Sequence, residues 1–132
     1  VIEEMIQIDN DVNIVLLGSS NAKYISEEIV SKFSNFNIFD CVDKFTFNQT
    51  SQIIKKSQIL LCCDGGLMHS ANSVNTPIVA LFARLSPEMQ LTDSIRAFSL
   101  QDRNDVNNIL VKEVLTKYRE ASNFVDIRHL GE

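Results

Sequence analysis

The sequence predicts an α/β layered domain with a mainly parallel sheet. Three observations carry this expectation. Short apolar runs alternate with amphipathic stretches along the whole chain. The connections between them are short, and neither a low-complexity linker nor an internal repeat interrupts the order. That order reads α-β-α-β-α-β-α-β, then a loop or helix, then β-α.

The chain opens with "VIEEMIQID", in which Val1, Ile2, Met5 and Ile6 sit at helical spacing around Glu3 and Glu4. This reads as the middle of a helix, so the chain is expected to begin inside a larger protein. "VNIVLLG" (12–18) is a continuous apolar run ending at glycine, which suits a strand covered on both faces. In "SSNAKYISEEIVSKF", Ala22, Ile25, Ile29, Val30 and Phe33 make one apolar side of a helix, with Ser26, Glu27, Glu28 and Lys32 opposite. "FNIFDCV" (36–42) is a second short strand.

Thr46 followed three residues later by Gln49 is a capping-box pattern, opening a helix to about Lys56. "QILLCC" (58–63) is the third strand, and "GGLMHSANSV" a short helix with Leu67, Ala71 and Val74 on one side. "TPIVALF" (76–82) is the fourth strand, its proline at the start where it does least harm. "SPEM" (86–89) offers a serine cap with proline at the first helical position. "IRAFSL" (95–100) is the fifth strand. Val111, Val114, Leu115 and Tyr118 mark a last helix from about Asn108, and the tail from Ser122 fits either helix or coil.

The 132 residues suffice for one domain, 1–132, with one core. A net charge of −5 argues against a nucleic-acid-binding surface. It leaves room for one small phosphorylated ligand, because a few backbone amides and one or two cations suffice for that. No apolar run approaches the roughly 20 residues that span a bilayer. Cys62 and Cys63 are adjacent, so on a strand their side chains point to opposite faces. With three cysteines in all, reduced thiols in a cytoplasmic protein fit better than a disulfide framework. A zinc site from Cys62, Cys63 and His69 lacks the ligand spacing and a fourth ligand, so no metal is expected.

In open α/β sheets, ligands bind beyond the carboxyl ends of the strands. Three strand ends are candidates: "GSSN" (18–21), "DGGLMH" (64–69) and "FARLSP" (82–87), the last carrying Arg84. Glycines at 65 and 66 let the backbone turn sharply and approach a ligand closely. The helix that follows offers unpaired amides and the positive end of its dipole, which favour phosphate. Asp64, an anion, is unsuited to phosphate but suited to sugar hydroxyls beside one. The competing reading makes Asp64 an N-cap in a tight turn. His69 then merely packs, Arg84 is solvated, Ser19, Ser20 and Asn21 cap a helix, and the two thiols fill space.

The stretch "SQILLCCDGGLMHSANSVNTPIVALF" resembles the C-terminal nucleotide-sugar domain of the bacterial ADP-heptose:lipopolysaccharide heptosyltransferases. Their pattern here is an apolar strand, Asp-x-Gly-x-x-His or a close variant, a small-residue helix, Thr-Pro, and a Val/Ala-rich strand ending in Phe. Asp64, Gly66, His69 and Thr76-Pro77 match it. "VNIVLLGSSNAKYISEEIVSKF", "DKFTFNQTSQIIKKSQ" and "ILVKEVLTKY" extend the likeness over nearly all of residues 1–121.

The resemblance implies a GT-B glycosyltransferase, two Rossmann-like domains with the active site between them, of which this chain is the donor-binding half. The implied reaction transfers heptose from ADP-heptose to a lipopolysaccharide core acceptor at the cytoplasmic face of the inner membrane, with no metal or other cofactor. By that likeness the amides of Gly65 and Gly66 face the diphosphate, Asp64 holds sugar hydroxyls and His69 sits near the diphosphate. Phe45 falls where the family packs a residue on the base, and Ser20 and Asn21 fall near a ribose-contacting position that is often acidic there. Ala83-Arg84-Leu85-Ser86 departs from the family's glycine-containing loop, so Arg84 reshapes donor preference or supplies a phosphate cation.

No catalytic residue is expected in this chain, because the family's base lies in the acceptor domain. By the same likeness, the first strand of the donor domain is expected to lie outside these residues. Strands 12–17 and 59–63 thereby lose a common neighbour, and the sheet is expected to re-pair across the gap or to borrow a strand by self-association. Two alternatives stay open: the same fold with a hexose or N-acetylhexosamine donor, and a non-catalytic α/β interaction domain.

Overall fold

The computed structural model describes residues 1–84, 87 and 96–130, with side chains through Phe124 in the last helix. Its elements in chain order are α1 (Ile2–Ile8), β1 (Ile14–Leu16), α2 (Lys23–Lys32), β2 (Ile38–Asp40), α3 (Phe47–Lys56), β3 (Leu60–Cys63), α4 (Gly66–Ser73), β4 (Ile78–Phe82), β5 (Ala97–Gln101) and α5 (Val111–Leu130). All strand pairs among the described residues are parallel. The α/β layered class expected from the alternation is therefore present, and the ambiguous tail continues α5 to Leu130. Of the helix start expected at "SPEM", Pro87 is helical, and the other three residues lie outside the described ones.

The chain divides into two compact units, Val1–Thr50 and Ser51–Glu132. The strands form a sheet in each: β1-β2 and β3-β4-β5. Strands 12–17 and 59–63 do not pair with each other, so direct re-pairing does not occur among the described residues.

In the first unit, Ile14, Val15 and Leu16 face Ile38, Phe39 and Asp40 in register. α2 packs on this sheet. Side chains alternate across a strand, and the alternate position here is exposed: Val15 is 36% and Phe39 52% accessible. The apolar run at 12–18 thus forms a three-residue strand with one open face, not the doubly covered strand its composition suggests. The assignment of faces on α2 also needs correction. Ser26 is its buried residue and Ile25 is exposed. The hydroxyl of Ser26 donates to Asp40 Oδ2 at 3.1 Å and lies 2.9 Å from the carbonyl of Lys23, so a polar side chain turns inward where it finds partners. Asp40 Oδ1 accepts the amide of Val42, which shapes the exit from β2.

The capping box at the start of α3 forms as expected. The Thr46 amide donates to Gln49 Oε1 (2.9 Å), and the Gln49 amide donates to Thr46 Oγ1 (3.2 Å). Thr46→Ala is expected to remove about 1 kcal/mol of stability, measured as a lower urea midpoint at unchanged slope.

In the second unit β4 is the central strand, paired with β3 and β5 on its two edges. Consecutive residues Ile78, Val79 and Ala80 are all fully buried, as is Phe82, so both faces of β4 are covered. α4 packs on β3 and β4, and α5 on β4 and β5. Phe98 and Phe124 meet edge to face at 6.1 Å between ring centres, fastening α5 to β5. On α4 Met68 and Ala71 are fully buried, Ala71 as expected, whereas Leu67 and Val74, also expected on the inner side, are half-buried.

α4 ends with Asn75 in the left-handed conformation (φ 63°), and the Thr76 amide reaches back to the Ala71 carbonyl at 3.0 Å. The buried hydroxyl of Thr76 donates to the Ile54 carbonyl at 2.8 Å. After β5, Asp102 Oδ1 accepts the amides of Asn104 and Asp105. These bonds, that to Asp105 first, hold the Asp102 carboxyl below its ordinary range. The depressed value means that Asp102 stabilises the fold above the unfolded-state value and loses that contribution as pH falls through the folded one. An NMR titration should place its midpoint below that of an unstructured aspartate; an unshifted midpoint contradicts this geometry.

Candidate functional site

At the carboxyl end of β3, Cys63 is followed by Asp64, whose amide pairs with the Leu81 carbonyl at 3.2 Å, the last rung of the ladder. The chain then turns at Gly65, with φ 156° and ψ −171°. This backbone region is essentially closed to residues with a Cβ. Among the described residues nothing lies within 4 Å of where a Cβ would stand on Gly65.

Gly65 is the N-cap of α4, and among the described residues no side chain caps that end. The reading of Asp64 as an N-cap is therefore excluded. The first amides of α4 are left to a ligand or solvent, with the positive end of the helix dipole behind them. The first intrahelical bond runs from the His69 amide to the Gly65 carbonyl at 3.3 Å. Gly65, Gly66 and His69 are exposed and Asp64 is half-buried.

Arg84 is exposed two residues beyond the end of β4. Because β3 and β4 are parallel neighbours, it stands at the same edge as Asp64, Gly65, Gly66 and His69. The Gln101 side chain donates to the Ala83 carbonyl at 3.0 Å, tying the end of β5 to this loop.

In the first unit, Ser20 and Asn21 lie in a 3-10 turn after β1, both exposed. The Asn21 side chain accepts the Ser19 hydroxyl. The Asp43 amide donates to the Gly18 carbonyl at 2.9 Å, joining this loop to the one that leads into α3. Phe45 is 48% exposed on that second loop, so Ser20, Asn21 and Phe45 share the carboxyl edge of their own sheet.

The two thiols on β3 differ in character. Burial pushes the Cys62 thiol up to about 12, with Cys63 and Asp64 adding to the effect, whereas Cys63 is exposed. At pH 8 a thiol-specific disulfide reagent is expected to label Cys63 and to spare Cys62 in the native chain; equal rates would contradict this. Among the described residues no group of three or more His, Cys, Asp or Glu side chains is arranged to hold a metal ion. Likewise, no described helix is long and apolar enough to cross a membrane.

Ser70 and Asn75 were not singled out from the sequence. Ser70 is buried on α4, its hydroxyl 2.6 Å from that of Ser51 on α3. Asn75 sits just past the end of α4, with its side chain accepting from Arg96 at 3.1 Å. An asparagine directly before Thr-Pro is a legible signal for the second; nothing in the pattern signals the first.

The sequence model of glycosyltransferase family 9 (heptosyltransferase) matches residues 1–118. The chain belongs to glycosyltransferase family 9. Among solved structures, E. coli ADP-heptose lps heptosyltransferase II superposes with a TM-score of 0.75 at 22% identity, over 87% of this chain and 38% of the other. A glycosyl transferase family 9 structure from Veillonella parvula gives 0.70 at 17% identity, over 96% of this chain and 41% of the other. These likenesses establish the Rossmann-like fold of the family 9 chain, which spans about two fifths of each of these solved chains. No match was found among curated proteins.

Proposed function

We propose that this family 9 chain is the donor-binding part of an enzyme that transfers heptose from ADP-heptose to a lipopolysaccharide core acceptor at the cytoplasmic face of a membrane. The observation that carries the reading is the start of α4 behind Gly65, which no described side chain caps and no described atom crowds, with a carboxylate beside it. Amides and the dipole suit a diphosphate, and Asp64 suits the hydroxyls of the sugar attached to it. His69 and Arg84 add hydrogen-bonding and cationic groups at the same edge.

In the reaction the acceptor hydroxyl oxygen attacks the anomeric carbon with inversion. The bond from that carbon to the diphosphate breaks, and its electron pair leaves with ADP. The amides at the α4 start and the cations stabilise the charge that develops on the diphosphate, without a metal. The proton passes to a base that this reading does not place among the 132 residues. The chain by itself is therefore expected to bind donor and not to turn it over.

Calorimetric titration of the chain with ADP and UDP tests the reading. ADP is expected to bind more tightly. Tighter UDP binding would move the donor to another nucleotide sugar, and no binding of either would favour a non-catalytic domain.

A further inference from the structure

We propose that Ser70 is a positioning residue, which through its hydroxyl pair with Ser51 sets where the amino end of α4 stands at the carboxyl edge of the β3-β4-β5 sheet. The inference rests on the reading of that helix start as the diphosphate site. α4 has only eight residues, too few to be stable unaided. Among the described residues no side chain caps its amino end. Its far end is secured by the Thr76 amide on the Ala71 carbonyl and by the Thr76 hydroxyl on the Ile54 carbonyl. Near the amino end, the apolar anchor is Met68, a flexible side chain that tolerates sliding.

The Ser51–Ser70 contact is different in kind. At 2.6 Å between hydroxyl oxygens it is directional, and it fixes both the rotation and the rise of α4 against α3. Ser70 is the fifth residue of the helix and is only 6% exposed. Among the described residues, this is the one side-chain hydrogen bond from the first five residues of α4 to another element. An alanine would fill the same space, so packing does not require a serine there. The hydroxyl serves register: the amides that meet the ligand lie one turn away on the same rigid backbone.

The test compares Ser70→Ala, Ser51→Ala, the double alanine variant and Ser51→Thr. Each is assayed for melting temperature, for hydrogen exchange over residues 64–74 without ligand, and for ADP affinity by calorimetry. Single alanine variants leave one hydroxyl unpaired and should melt about 3–5 °C lower. The double variant leaves no orphan, so its melting temperature should return to within about 2 °C of the parent. A merely structural pair would then recover in every measurement. A positioning pair would not: the double variant should still exchange faster at the α4 start and bind ADP about fivefold to tenfold more weakly. Ser51→Thr keeps a hydroxyl and should bind as the parent does.

Parent-like exchange and affinity in the double variant overturn the proposal. If the parent chain binds no ADP while exchange at the α4 start still rises in the double variant, the donor-site reading falls and the positioning role stands.

Discussion

Phe82→Ala is expected to lower stability by about 3–5 kcal/mol, the range for emptying a well-packed aromatic site. Phe82 is fully buried at the end of β4, the strand to which both other strands of its sheet are bonded. Truncation removes the transfer energy of the ring and leaves a cavity that the paired backbone of β4 is poorly placed to close. For a chain of this size the melting temperature should fall by about 10–20 °C. Urea unfolding followed by circular dichroism reads the same loss as a lower midpoint. Phe82→Leu, which keeps most of the volume, should cost far less. A loss under about 1 kcal/mol for the alanine variant would mean that Phe82 is not a core residue.

Gly65→Ala is the second large effect, and its cause is conformational. At φ 156° and ψ −171° a side chain costs on the order of 1–3 kcal/mol in backbone strain. No described atom lies within 4 Å of the added Cβ, so crowding by the described residues is not the cause. Relief of the strain requires the turn to change, and the turn aims the first amides of α4. ADP affinity should therefore fall more than tenfold, beyond what the stability loss alone would produce at temperatures where the variant is folded. Gly18→Ala provides the contrast: there the added Cβ would meet the Ala22 Cβ at 3.2 Å, a tight contact within the other unit and not a backbone strain. A Gly65→Ala chain that binds ADP as the parent does would remove the turn from the site.

Much of the fold was legible because local signals agreed with the global pattern. Alternation of runs located every strand, and the Thr46–Gln49 spacing located the start of α3, where reciprocal bonds form. What failed was the assignment of faces. The run at 12–18 is apolar throughout, and composition does not reveal that Val15 and Phe39 sit on an uncovered face. Ser26 points inward because Asp40, fourteen residues away, supplies a partner, and such tertiary pairing leaves no trace in helical periodicity.

The same division holds at the site. Asp64, Gly65, Gly66 and His69 are contiguous, so their shared location could be read from the motif. That Asp64 does not cap α4 could not, since an aspartate before Gly-Gly suits either role. The Ser51–Ser70 pair spans nineteen positions and two helices, and only the folded chain brings it together.

Asp64 is the residue on which the sugar-binding claim depends. Calorimetry of the parent chain and of Asp64→Ala, each titrated with ADP and with ADP-heptose, tests it most directly. The predicted result is a loss of about tenfold for ADP-heptose with little change for ADP, because in the proposed site the carboxylate meets sugar hydroxyls and not phosphate. An equal loss for both ligands would contradict the role assigned to Asp64.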